Sequence, residues 1–150
     1  MIQLKRTNSK DSDFVRLVKS LDEDLQVRDG DEHSFFAQFN KIDLIQNVVV
    51  AYNNGKALGC GAIKPYNNEI MEVKRMFVSS EARGKGIATL ILKELEKWAQ
   101  ELNYNGCILE TGEKQPEAIG LYVKSGYERI PNYGPYVEVN SSFCFRKKLS

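Results

Sequence analysis

The sequence predicts an α+β fold of three layers, with a mixed, mostly antiparallel sheet of six to seven strands flanked by about four helices. Three observations carry that expectation. Apolar, β-favouring runs over 48–52, 57–63 and 71–78 are separated by Asn53-Asn54-Gly55 and by Asn67-Asn68, so three strands follow one another as hairpins. From Ile87 the residues Leu90, Ile91, Leu95, Trp98 and Leu102 recur in steps of three, four and seven, the stripe of a helix laid on a sheet. Beyond that helix, strand-like and helix-like segments alternate to the end of the chain.

In order, 2–7 reads as a short strand and 9–25 as an amphipathic helix with Phe14, Leu17, Val18 and Leu21 on one face. Arg28-Asp29-Gly30-Asp31-Glu32 is polar and turn-forming, and Phe35, Phe36, Phe39 and Ile42 then mark a second short helix. In the first hairpin Asn54-Gly55 supplies the positive φ angles of a tight turn. Ser79-Ser80-Glu81-Ala82 breaks the strand pattern before the helix over 87–102. A strand over 106–110, a helix over 116–124, a strand over 127–130 and a last one over 143–149 complete the chain. No repeat and no low-complexity linker divides it, so residues 1–150 are expected to form a single domain.

A chain of 150 residues buries roughly two thirds of its unfolded surface, and 42% hydrophobic residues support a proper core. With 21 basic against 20 acidic residues the net charge is +1, which argues against a nucleic-acid surface or a membrane-binding face and for small-molecule partners. The opening Met1-Ile2-Gln3-Leu4-Lys5-Arg6 lacks the apolar run of a signal peptide, no segment is long enough to span a bilayer, and the expected location is the cytosol. Cys60, Cys107 and Cys144 are odd in number and lie in apolar, strand-like surroundings, which suits reduced structural thiols better than disulfides, metal ligands or a nucleophile. No metal site is expected.

The chemistry concentrates in Arg83-Gly84-Lys85-Gly86-Ile87-Ala88, between an apolar strand and the long helix. N–H groups at a helix start have no intrahelical partner and carry partial positive charge, and glycine lets a ligand approach the backbone. Arg83 and Lys85 add charge beside that cradle, so the segment suits a diphosphate held on main-chain amides. A Walker A loop needs Gly-x-x-x-x-Gly-Lys-Ser/Thr, and a dinucleotide fingerprint needs a third small residue, glycine or alanine, three beyond Gly86; neither pattern is met.

The spacing that does fit is Arg/Gln-x-x-Gly-x-Gly/Ala, met by Arg83, Gly86 and Ala88, and it resembles the acetyl-coenzyme A loop of the GNAT superfamily of N-acetyltransferases. The segment Ala118-Ile119-Gly120-Leu121-Tyr122-Val123-Lys124-Ser125-Gly126-Tyr127 resembles that family's second signature, and the order of strands and helices agrees from end to end. The resemblance implies a sheet splayed between its fourth and fifth strands, usually assisted by a bulge, with the pantetheine arm of acetyl-CoA inserted there. Main-chain groups of Met76, Phe77 and Val78 would pair with the arm, and amides from Gly84 to Ala88, Lys85 and Ile87 included, would hold the diphosphate with the Thr89 hydroxyl. Gln115 stands where many members carry asparagine; it either reaches the coenzyme with a longer arm or merely precedes Pro116 at a helix start.

The implied reaction is direct attack of an acceptor amine on the thioester in a ternary complex. An alkylamine with a pKa of about 10.4 arrives protonated at neutral pH, so a base is needed. Glu110 and Glu72 are the candidates, each also suited to a plain ion pair with Lys74 or Arg75. A main-chain N–H at Phe77 or Val78 would polarise the carbonyl. Tyr122 matches the family's acid for the departing thiolate; that transfer is uphill by about 2 kcal/mol from ordinary thiol and phenol pKa values. Acceptor choice is assigned to two loops, 29–36 with Asp31, Glu32 and His33, and 131–136 with Tyr133 and Tyr136. The expected acceptor is a small-molecule primary amine; the alternatives are a protein or peptide amine, and a non-catalytic acyl-CoA sensor. Monomer and homodimer both stay open.

Overall fold

The computed structural model describes residues 1–29 and 45–149, with the side chains of Arg28 and Asp29 excepted. Its elements are β1 (Ile2–Thr7), α1 (Ser12–Asp29), β2 (Asn47–Asn53), β3 (Lys56–Pro65), β4 (Ile70–Val78), α2 (Ile87–Glu101), β5 (Gly106–Gly112), α3 (Pro116–Lys124), β6 (Glu128–Ile130) and β7 (Ser142–Lys148). All seven strands join one sheet in the order β1-β2-β3-β4-β5-β7-β6. Every neighbouring pair is antiparallel except β4 and β5, which run parallel. Three helices are described; the fourth, expected around Phe35 to Ile42, lies outside the described residues.

The first helix begins and ends later than its hydrophobic pattern suggests. Asp11 Oδ1 accepts the main-chain N–H groups of Asp13 and Phe14 at 2.9 and 3.1 Å and so caps α1 at Ser12, while Ser9 Oγ instead accepts the N–H of Ile45 at 3.1 Å. At the other end Arg28 and Asp29, expected in a turn, continue the helix. Phe14, Leu17 and Val18 pack on Val48, Val50, Cys60 and Ala62 on one face of the sheet. On the opposite face Ile87, Ile91, Leu92, Leu95 and Ala99 of α2 cover Val49, Ala51, Ile63, Met71 and Val73. The stripe is narrower than its sequence pattern, because Leu90 and Leu102 sit at its margins and remain 42% and 43% exposed.

Two features of this sheet shape the space beside it. A Cβ on Gly61 would stand 2.5 Å from Met76 Sδ and 2.9 Å from Ile91 Cγ2 and Leu95 Cδ1, so glycine lets α2 lie close against β3 and β4. Between Cys60↔Phe77 and Ala62↔Lys74 the β3–β4 register slips by a residue, and Arg75 takes a left-handed φ of 61°. This bulge lies on β4 just beyond its last residue pair with β5.

Candidate functional site

The parallel pairing of β4 with β5 lasts only three residue pairs, Ile70↔Gly106, Met71↔Cys107 and Glu72↔Ile108. Beyond it the strands part, and a cleft of about 650 Å³ opens between them. Its walls are β4 from Glu72 to Val78, the end of β5 from Glu110 to Gly112, the first turn of α2, α3 along its length from Pro116 to Lys124, and Leu21, Asp24 and Leu25 of α1. Met76, Phe77 and Val78 are half-buried along it.

At one end of the cleft, Gly84 and Gly86 adopt φ angles of 80° and 78°. A Cβ at either glycine would meet nothing within 4 Å, so the backbone conformation and not crowding calls for glycine there. Gly86 is the N-cap of α2 and its carbonyl accepts the N–H of Leu90 at 3.2 Å, with no side chain capping the helix start. The N–H groups of Ile87, Ala88 and Thr89 therefore have no intrahelical acceptor, and all three residues line the cleft. Arg83 also lines it, although Arg83 Nε donates to the carbonyl of Val78 at 2.9 Å and the guanidinium lies 5.7 Å from the Phe77 ring centre. Lys85 is exposed and is not part of the wall. Gln115 is the N-cap of α3 and lines the cleft without capping through its side chain, and Pro116 occupies the first turn as a helix starter.

At the fork itself stand Tyr122 and the two carboxylates. Tyr122 is 5% exposed, on the cleft wall, and edge-on to Tyr127 with ring centres 5.7 Å apart. Burial, and then the charge of Glu110, push its phenol well above the ordinary tyrosine value. Glu110 accepts the Ser142 hydroxyl at 2.7 Å. Glu72 accepts the Tyr133 hydroxyl at 2.7 Å through Oε2, while Lys74 Nζ lies 3.7 Å from Oε1. Lys74, Glu72 and Glu110 all line the cleft.

The two acceptor-loop tyrosines part company. Tyr136 is buried on the cleft wall, whereas Tyr133 is absent from the wall and braces Glu72, with its ring edge-on to Tyr66 and Tyr136. Asn132 holds the turn by donating to the carbonyls of Tyr136 and Val139 at 3.1 and 3.0 Å. Glu32 and His33, with Asp31, lie outside the described residues. Sequence reasoning missed the support behind Tyr122. There Tyr127 donates its hydroxyl to Glu96 Oε2 at 2.9 Å, and Lys147 donates to Oε1 at 2.9 Å. A lone Glu96 on the sheet-facing side of α2 was the available signal, since a buried carboxylate needs partners.

The three cysteines are buried and free, and burial pushes the thiols of Cys60 and Cys107 up to about 12. Among the described residues no group of three His, Cys, Asp or Glu side chains is placed to hold a metal ion. No helix among them is long and apolar enough to cross a membrane.

Fold and cleft define a class of α+β proteins in which one parallel strand pair forks around a cleft that ends on an uncapped helix start. Residues 14–127 match the model of the acetyltransferase (GNAT) family, and the chain belongs to that family. It is 32% identical to the IAA acetyltransferase of Azospirillum brasilense over 99% of this chain and 98% of the relative. A Klebsiella pneumoniae structure, provisionally named an acyl-CoA N-acyltransferase, superposes with a TM-score of 0.84 at 25% identity, over 100% of this chain and 99% of that one. The PaiA N-acetyltransferase of Thermoplasma acidophilum in complex with coenzyme A shares the fold, with a TM-score of 0.73 at 19% identity over 99% of both chains.

Proposed function

We propose that this chain transfers an acetyl group from acetyl-CoA to a primary amine of a small molecule, by direct attack while both are bound. The observation that carries the reading is the fork, where strand edges of β4 and β5 separate after three residue pairs and lead to the open N-terminus of α2. The residues present fit the coenzyme. Two left-handed glycines with open space before them, followed by N–H groups without intrahelical acceptors, suit a diphosphate. Unpaired strand edge suits an extended amide-bearing arm. When bound, the coenzyme supplies an acyl thioester, an electrophile that an unprotonated amine can attack.

The chain's own residues divide the remaining work. Amides of Gly84 to Ala88 and the Thr89 hydroxyl bind the diphosphate, and main-chain groups of Met76 and Phe77 align the arm. The Val78 carbonyl is engaged by Arg83, which leaves the Val78 N–H for that role. Glu110 takes the acceptor's ammonium proton, directly or through water. It is favoured over Glu72 because its charge is the one that reaches Tyr122 and its bound partner is the neutral Ser142 hydroxyl, while Glu72 is held by Tyr133 and by the Lys74 cation. Tyr122 donates a proton to the departing sulfur. Tyr136 walls the acceptor side. The relative's name does not transfer its acceptor to this chain.

Calorimetric titration with acetyl-CoA tests the reading. One-site binding that weakens sharply in Gly86→Asp, together with release of free thiol in the presence of an amine panel, is the expected result. Binding without thiol release above background from amines and peptides alike leaves a sensor and removes the enzyme, whereas release with peptides alone makes the acceptor a protein amine.

A further inference from the structure

Lys74 puts a primary amine inside the cleft that is read here as the place where amines are acetylated. It lies on β4 immediately before the bulge residue Arg75, and lines the cleft with Glu72, Met76 and Glu110. Its cross-strand partner on β3 is Ala62, which packs in the cluster beneath α1, so Lys74 stands on the α1 face of the sheet. The side chain is only 11% exposed. Four charged groups face it: Glu72, with Oε1 3.7 Å from Nζ, Lys64 on β3, Arg75 on its own strand, and Glu110 across the fork. Burial, joined by the charges of Lys64 and Arg75, outweighs the two carboxylates and holds the Lys74 amine below the ordinary lysine pKa, so more of it is unprotonated than on a surface lysine.

We propose that the chain acetylates itself on Lys74, with acetyl-CoA bound in the same cleft as donor. The Nζ lone pair attacks the thioester carbonyl carbon, so an N–C bond forms as the C–S bond breaks and sulfur leaves with the bonding pair. Starting from the ammonium, one proton first passes from nitrogen to Glu72 or Glu110 and frees the lone pair, and a second leaves nitrogen as the C–S bond breaks and reaches sulfur, so that an acetamide and a free thiol result and the carboxylic acid then gives its proton to solvent. This proposal rests on the coenzyme reading above. Its consequence is electrostatic: acetylation removes the lysine charge and leaves Glu72 and Glu110 facing the cleft without that cation, which suits a cationic acceptor. Self-acetylation thereby adjusts which amines the site accepts.

The test uses the intact wild-type protein with isotope-labelled acetyl-CoA and no added amine, followed by peptide mapping, with calorimetry run on the same preparation. The expected result is label on Lys74 that appears at least about tenfold faster than on exposed Lys85 and Lys56, because a bound donor is held at high effective concentration. In Gly86→Asp the Lys74 label falls to the level of those surface lysines, and in Lys74→Arg it disappears from the peptide. If acetyl-CoA binds and Lys74 labels no faster than Lys85, self-acetylation is overturned and the coenzyme reading stands. If acetyl-CoA does not bind, both fall.

Discussion

Tyr122 is gripped on several sides, edge-on to Tyr127 and tilted against Phe145 at 6.3 Å between ring centres, and its phenol stays protonated far above neutral pH. Tyr122→Phe keeps that ring packing and removes only the transferable proton. It is expected to lower kcat by at most about 10²- to 10⁴-fold while the coenzyme Kd holds, as steady-state kinetics and calorimetry will read. An unchanged kcat removes the acid role. The position of Tyr122 and Gly86 on the cleft wall was legible because each sits in a motif whose spacing is itself the signal. Other residues carry no such mark. Nothing local in the sequence tells that Arg75 takes a left-handed φ, a conformation rare for arginine, because register against β3 imposes it. The hydrogen bond from Tyr133 to Glu72 spans 61 residues and depends on the path of a loop, so Tyr133 reads from sequence as pocket wall and stands in the structure as a brace.

At the scale of elements, α2 and β3 meet at a close joint. Adding one methyl at Gly61 drives it against Met76, Ile91 and Leu95 in the core beneath α2. Gly61→Ala is expected to destabilise the protein by about 1–3 kcal/mol, measured by urea unfolding, and to weaken coenzyme binding because α2 must shift. The cap of α1 gives a second value. Asp11→Ala removes the acceptor for two main-chain N–H groups and is expected to cost about 1 kcal/mol in the same assay, with coenzyme binding unchanged. Strands and the long helix were readable because their periods of two and 3.6 differ sharply over many residues. Helix ends were less so: Ser9 has the chemistry of a cap, yet it is taken by Ile45, a partner that only the tertiary fold supplies.

For the molecule as a whole, the buried acids set an alkaline limit. Burial raises the thiols of Cys60 and Cys107 to about 12 in the folded chain, above the unfolded thiol value near 8.5. The folded state then holds more protons than the unfolded one above that value, so stability is fully present below about pH 8.5 and declines as pH rises towards 12. Each of the two thiols is expected to remove about 2 kcal/mol by pH 10, seen as a lower urea midpoint than at pH 7.5, and replacing Cys60 by alanine is expected to shrink that difference. The fork has a mechanical meaning at the same scale. Strands β1 to β4 form one panel and β5, β7 and β6 another, and along the sheet they are stitched by three residue pairs at a single end. Such a sheet resembles a clothes peg, gripped by α2 on its back and open at its mouth. An extended ligand lying between the jaws becomes the missing seam, adding about 2.7 kcal/mol at a concentration a hundredfold above its Kd. Amide exchange slowing on both facing strand ends at once would trace that seam closing, and the loaded protein would then unfold as one panel where the empty one begins to open at the mouth.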